Sequence, residues 1–164
     1  VTAVPELNES QKRKAVELMG DLIPHTVSLG IRLERVEGDA LTLRLPYQED
    51  LVGDPQTGIL HGGALTVLLD QTMGISCVCS DALKPSVTPT LDLRIDHLGV
   101  APARMDVLAT ARVYRATTRV LFVEGIAWCE APEKPIARAT GTWVRVAPID
   151  LAWILGNEAG AESE

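Results

Sequence analysis

The stretch Gly58-Ile59-Leu60-His61-Gly62-Gly63-Ala64-Leu65-Thr66-Val67-Leu68-Leu69-Asp70-Gln71-Thr72-Met73-Gly74 decides how the rest of the chain is read. A glycine-rich turn with one histidine runs into an apolar segment that continues to Cys79 and carries a single acid, Asp70. Leu65, Val67, Leu68, Leu69, Ile75 and Val78 spread over every side of a helical wheel, and a helix apolar all round is a core helix or a membrane span. The run from Gly63 to Cys79 is shorter than the roughly 20 residues a bilayer needs, and a carboxylate at mid-span costs about 3 kcal/mol. The prediction is therefore a core helix wrapped by other structure, with Asp70 buried in it and no membrane involved.

Gly62 and Gly63 fall where that helix begins. The first turn of a helix leaves backbone N–H groups unpaired, and glycine lets a ligand approach them closely. Such a start suits an anion, or an oxygen on which negative charge develops. His61 and Asp70 are nine positions apart, which on one straight helix means opposite sides and about 13 Å of separation. One chain cannot gather them into a compact site, so joint action requires two copies.

His61-Gly62-Gly63, with Asp70 seven residues after the last glycine, resembles the active-site segment of hotdog-fold acyl-CoA thioesterases. The pattern is most similar to the phenylacetate-degradation (PaaI-type) branch, related to 4-hydroxybenzoyl-CoA thioesterases. Thr90-Leu91-Asp92-Leu93-Arg94-Ile95-Asp96-His97-Leu98 resembles the family's first long strand after the helix, and Ala139-Thr140-Gly141-Thr142-Trp143 its last. The likeness covers roughly residues 24–147.

What the resemblance implies is an α+β hotdog fold, an antiparallel sheet wrapped around one long apolar helix. It implies thioester hydrolysis with Asp70 as general base or nucleophile, the Gly62 amide as donor to the thioester carbonyl, and Gly63 beside it against the substrate. His61 then orients the loop more than it carries protons. Relatives place Asn or Gln six positions before the histidine; here Pro55 stands there, and its neighbours Asp54 and Gln56 are both candidates for that part. Thr90 matches a Ser/Thr position that supports the attacking water, yet strand alternation sets it on the polar face with Asp92, where it would merely start a strand. Arg112, Arg115 and Arg119 are candidates for the coenzyme A phosphates, and a charged outer strand face accounts for them equally well. No metal or redox cofactor is implied, coenzyme A being the handle of the acyl-CoA substrate. A homodimer is implied, with a dimer of dimers as the further assembly. Two rival readings of the same fold are a non-catalytic acyl-CoA sensor and a hydratase or dehydratase.

Composition narrows the classes. The 164 residues suffice for one domain, and 46% hydrophobic against 23% charged residues marks an ordered globular chain. Net charge is −7, which disfavours non-specific attraction to nucleic acid. Residues 94–145 hold eight Lys/Arg against five Asp/Glu, so a phosphorylated ligand still finds a locally basic surface. Cys77 and Cys79, two apart on a helix, point to nearly opposite sides and cannot pair; with Cys129 they read as reduced core thiols. Val1 to Glu6 leads to Lys12-Arg13-Lys14 without an apolar signal core, and a cytoplasmic setting is expected.

Along the chain, Asn8 and Gln11 form a capping pair for a first helix in residues 1–23, expected to be an accessory element apart from the site. Residues 31–37 and 41–45 alternate around Gly38-Asp39 as a hairpin, and residues 47–58 form a loop that delivers the chain to the core helix. Four strands are predicted at about 90–98, 104–115, 119–130 and 136–146. The domain is bounded at residues 24–148, followed by a tail in which Leu151–Leu155 docks as a short helical turn and Glu158–Glu164 is a solvated acidic end.

Overall fold

The structure, a computed structural model, describes residues 7–80 and 86–148. The expected turn at Leu151–Leu155 and the acidic end lie outside the described residues. In chain order come α1 (Glu9–Asp21), α2 (Pro24–Ser28), β1 (Arg32–Glu37), β2 (Ala40–Leu45), β3 (Val52–Asp54), β4 (Ile59–Leu60), α3 (Gly62–Cys79), β5 (Ser86–Val87), β6 (Thr90–His97), β7 (Val107–Ala116), β8 (Val120–Trp128), β9 (Ala137–Val144) and β10 (Ala147–Pro148).

Local chemistry accounts for the helix ends. Asn8 Oδ1 accepts from the Gln11 N–H at 2.9 Å while the Asn8 N–H donates to Gln11 Oε1 at 3.0 Å, the reciprocal capping box the sequence predicts. The first helix closes at Asp21, and Pro24 opens the short α2 in its first turn, where its missing N–H costs nothing.

Six strands form one antiparallel sheet in the order β1-β2-β7-β8-β9-β6. On one face Leu121, Val123 and Ala127 of β8 and Ala137, Ala139 and Trp143 of β9 are buried. Leu68, Leu69 and Met73 of α3 are buried as well, so the core lies between helix and sheet. A Cβ at Gly125 would stand 3.2 Å from Met73 Cγ, so glycine at that point of β8 lets the helix settle closely onto the strands. This is the predicted hotdog arrangement, one long apolar helix held by an antiparallel sheet.

Several details differ from the sequence reading. The strand expected from residue 104 starts at Val107, because Arg104 sits at φ 60° and Asp106 is taken up by a node before the strand. There Arg44 bonds Glu34 bidentately at 2.7 and 2.8 Å and Asp106 at 3.0 Å, while Asp106 also accepts the Tyr47 N–H at 2.9 Å. The Arg44 guanidinium holds Glu34 below the usual carboxylate range, and the Tyr47 N–H, followed by Arg44, does the same for Asp106. The loop before α3 carries the unpredicted two-stranded ribbon β3-β4.

Two features bear on the site. Lys12 Nζ of α1 donates to the Gly38 carbonyl in the β1-β2 turn at 3.1 Å, and Ala15 packs against Val78, so α1 is fastened over α3. At the other side of the sheet β6 pairs, among the described residues, with β9 alone and leaves its second edge open, and Leu91 and Leu98 are 58% and 56% exposed.

Candidate active site

The helix start is built by the loop beneath it. The His61 N–H donates to the Leu51 carbonyl at 2.8 Å, and His61 backbone lies so near Gly53 that a Cβ there would stand 2.8 Å from His61 Cα. His61 caps α3: its Nδ1 accepts the Gly63 N–H at 2.9 Å, and its carbonyl accepts the Ala64 N–H at 2.9 Å. An accepting Nδ1 carries no proton, so the ring's N–H is on Nε2. Two of the three leading amides are thus consumed, and among the described residues the Gly62 N–H has no partner. Of the two glycines, the exposed Gly62 keeps an unpaired donor among the described residues, whereas Gly63 spends its own on the cap.

A residue without an assigned role in the sequence stands beside that amide. His97, the last residue of β6, brings its Cε1 to 3.6 Å from the position a Gly62 Cβ would occupy. Nothing in the spacing of His97 from His61 foretells this, because the contact is made by the end of a strand crossing the start of a helix.

Asp70 lies farther along α3. The expectation of a buried carboxylate is corrected: Asp70 is half-buried, standing in the wall of a cavity while its helical neighbours Leu68 and Leu69 are sealed in the core. Thr90 Oγ1 donates to Asp70 Oδ1 at 2.8 Å. Thr90 was expected on the polar face with Asp92, and a bulge overturns this. Thr90 pairs with Trp143 and Asp92 with Thr142, so the register slips between them and Thr90 shares the inward face of Trp143.

The remaining candidates stand apart from this pair. Asp54 Oδ1 accepts the Gln56 N–H at 3.0 Å and Oδ2 accepts the Thr57 hydroxyl at 2.6 Å, so the carboxylate serves its own turn. The Thr57 hydroxyl, then the Gln56 N–H, hold it below the usual carboxylate range. The Gln56 side chain is exposed on the same loop, and among the described residues no hydrogen bond links Asp54 or Gln56 with Asp70 or Gly62. Arg112 is engaged by Glu124 at 2.8 Å, while Arg115 and Arg119 are exposed and form no ion pair among the described residues. Cys77, Cys79 and Cys129 form no disulfide among the described residues, and burial pushes Cys77 up to about 12 and Cys129 up to about 11. No group of His, Cys, Asp and Glu suited to a metal ion occurs among the described residues.

The cavity beside Asp70 has a volume of about 430 Å³ and extends between α3 and α1. The first helix was expected to be accessory, yet Leu18 and Met19 of α1 share this wall with Asp70 and Thr90.

An acid at mid-helix and an unpaired amide at the same helix's start both stand on the one long helix that the antiparallel sheet wraps, which is the hotdog arrangement. Comparison with known proteins narrows the class. The Thioesterase superfamily matches residues 57–136. The medium/long-chain acyl-CoA thioesterase YigI of Escherichia coli is 31% identical over 148 residues, covering 80% of this chain and 94% of that protein. A Pseudomonas aeruginosa crystal structure is 39% identical with a TM-score of 0.75 over 82% of this chain and 99% of its own. The PaaI protein of the E. coli phenylacetic acid degradation operon shares the fold at TM-score 0.74 and 16% identity, over 85% and 96% of the two chains. The chain belongs to the thioesterase superfamily and is a thioester hydrolase with the hotdog fold of the PaaI structures.

Proposed function

We propose that this protein hydrolyses acyl-CoA thioesters as a homodimer, each site combining Asp70 and Thr90 of one copy with Gly62 of the other. Asp70 takes a proton from water held beside Thr90; the water oxygen attacks the thioester carbonyl; the carbonyl oxygen gathers negative charge against the Gly62 N–H. Collapse breaks the C–S bond, and the proton passes to the departing sulfur, giving the free acid and coenzyme A. The reaction draws on no metal or redox cofactor. Asp70 acts as base in this scheme; a nucleophilic carboxylate would instead form an anhydride with the acyl group before water enters.

The observation that carries the proposal is the division of labour along α3. Gly62 and Asp70 are eight residues apart on one helix, about 12 Å along its axis, too far to serve one carbonyl. The open edge of β6 offers a remedy. Thr90 at its start adjoins Asp70 and His97 at its end adjoins Gly62. Antiparallel pairing of β6 with its counterpart in a second copy carries the start of each strand to the end of the other. With Leu93 on the twofold axis, Asp92 of each copy faces Arg94 of the other, whereas an axis at Arg94 sets like charges opposite one another. The name of the E. coli relative supports coenzyme A as the thiol half of the substrate. Exposed Arg115 and Arg119 remain our candidates for its phosphates, and pairing of two dimers our candidate for the full assembly.

The test is thiol release from acetyl-, octanoyl-, dodecanoyl- and phenylacetyl-CoA by the unmodified protein and by Asp70→Asn at matched folding and oligomeric state. We expect turnover that falls about 100-fold or more in the variant. Binding of these esters without turnover by the unmodified protein would replace this proposal with a sensor role.

A further inference from the structure

The cavity of about 430 Å³ beside Asp70 falls in the roughly 300–1,000 Å³ range of small-molecule sites. Its polar lining is Asp70, Gln71, Thr88 and Thr90, and the wall across from α3 is supplied by Leu18 and Met19 of α1 together with Leu22 and Ile23 just after it. Leu22 and Val87 are 52% and 49% exposed, an unusual state for large aliphatic side chains, and both line this cavity. Trp143, fully buried in the sheet, lines it as well. Because Lys12 and Ala15 hold α1 in place over the sheet turn and α3, the apolar wall is preformed.

Resting on the acyl-thioester reading above, we propose that this cavity receives an aliphatic acyl chain and that Met19, Leu22 and Ile23 gauge its length. A thioester carbonyl placed at Asp70 leaves its sulfur side for solvent and its tail for the space between α1 and α3. Each methylene that enters is removed from water, so the specificity constant rises about fourfold per carbon until the wall is reached. An aryl acid of the phenylacetyl type fills only the part nearest Asp70 and gains nothing from Leu22.

The experiment uses the full chain with two readouts. In the first, kcat/KM for dodecanoyl-CoA is divided by that for acetyl-CoA, in the unmodified protein and in Leu22→Glu, which sets a charge at the exposed mouth. The ratio is expected to fall about tenfold or more in the variant; an unchanged ratio overturns the proposal. In the second, ω-bromododecanoate is titrated against tryptophan fluorescence, since bromine quenches an indole that it touches. Quenching of the unmodified protein that is lost in Trp143→Phe, and whose midpoint rises in Leu22→Glu, supports the chain site independently of hydrolysis. Quenching that persists in Trp143→Phe, or none at all, overturns it. Quenching without any thioester turnover would keep the chain site and remove the hydrolytic reading, so the two failures are distinct.

Discussion

The two ends of the site on α3 are built in opposite ways. At Gly62 the hydrogen bonding is local: His61, two residues from the amide it caps, and the β3-β4 ribbon beneath fix the geometry, leaving one N–H unpaired among the described residues, with His97 alone brought from afar to its side. At Asp70 everything is distant, since its partner Thr90 is 20 residues away on an edge strand and its cavity wall comes from α1. One end thus keeps an unpaired donor and the other a carboxylate held by Thr90, and in the proposed reaction neither suffices without the other. A helix is a rigid spacer, so it keeps the two ends of one chain apart as firmly as it fixes each of them.

The sharpest attack on that comparison is Gly62→Pro. Proline at the first helical position deletes the N–H and spares the helix, and His61 at ψ 137° already has the extended backbone that precedes proline comfortably. Turnover is expected to fall about 100-fold with little loss of stability. Mixing this variant with Asp70→Asn under conditions of subunit exchange then restores about a quarter of the unmodified rate, because half the dimers are mixed and each holds one intact site. Failure of the mixture to recover would break the shared-site reading.

A milder probe separates the adjacent glycines. A Cβ at Gly63 would stand 2.8 Å from His61 Nδ1 and must displace the cap, whereas a Cβ at Gly62 meets only His97 Cε1 at an ordinary 3.6 Å. Gly63→Ala is therefore expected to lose about 1 kcal/mol in urea unfolding and Gly62→Ala much less. Equal losses would mean that His61 is not the cap that holds the helix start.

The smallest effect concerns the node of Arg44, Glu34 and Asp106, remote from both ends. Both carboxylates are depressed in the folded state, so they stabilise it above their unfolded values near pH 4 and that contribution is lost as pH falls through the folded values. Arg44→Met should unfold at lower urea than the unmodified protein at neutral pH, with the gap closing in acid. All three side chains are partly exposed, at 25%, 34% and 35%, so a gap of about 1 kcal/mol or less is expected.

Much of this molecule was legible in its residues. The apolar circumference of residues 64–79 announced a core helix, the alternation of residues 31–37 and 41–45 announced the β1-β2 hairpin, and the Asn8-Gln11 box announced where α1 begins. These signals are local, and each is set by side chains within one or two turns. Three parts of the site were not legible. Alternation put Thr90 on the wrong face because a bulge depends on how β6 pairs with β9, not on its own sequence. The α1 helix looked accessory because its apolar stripe does not say what it covers. Asp70 looked buried because its neighbours are, and the space beside it exists only where α1 and α3 stand apart.

The sequence by itself determined the core helix and placed on it Gly62 and Asp70, the two residues proposed for the chemistry, since helical periodicity and first-turn chemistry are written within a few positions. Tertiary structure alone decided that Thr90 reaches Asp70, that His97 flanks Gly62 and that α1 encloses a cavity. Those contacts join segments many residues apart, and their geometry follows from strand register and helix packing, which no single stretch encodes.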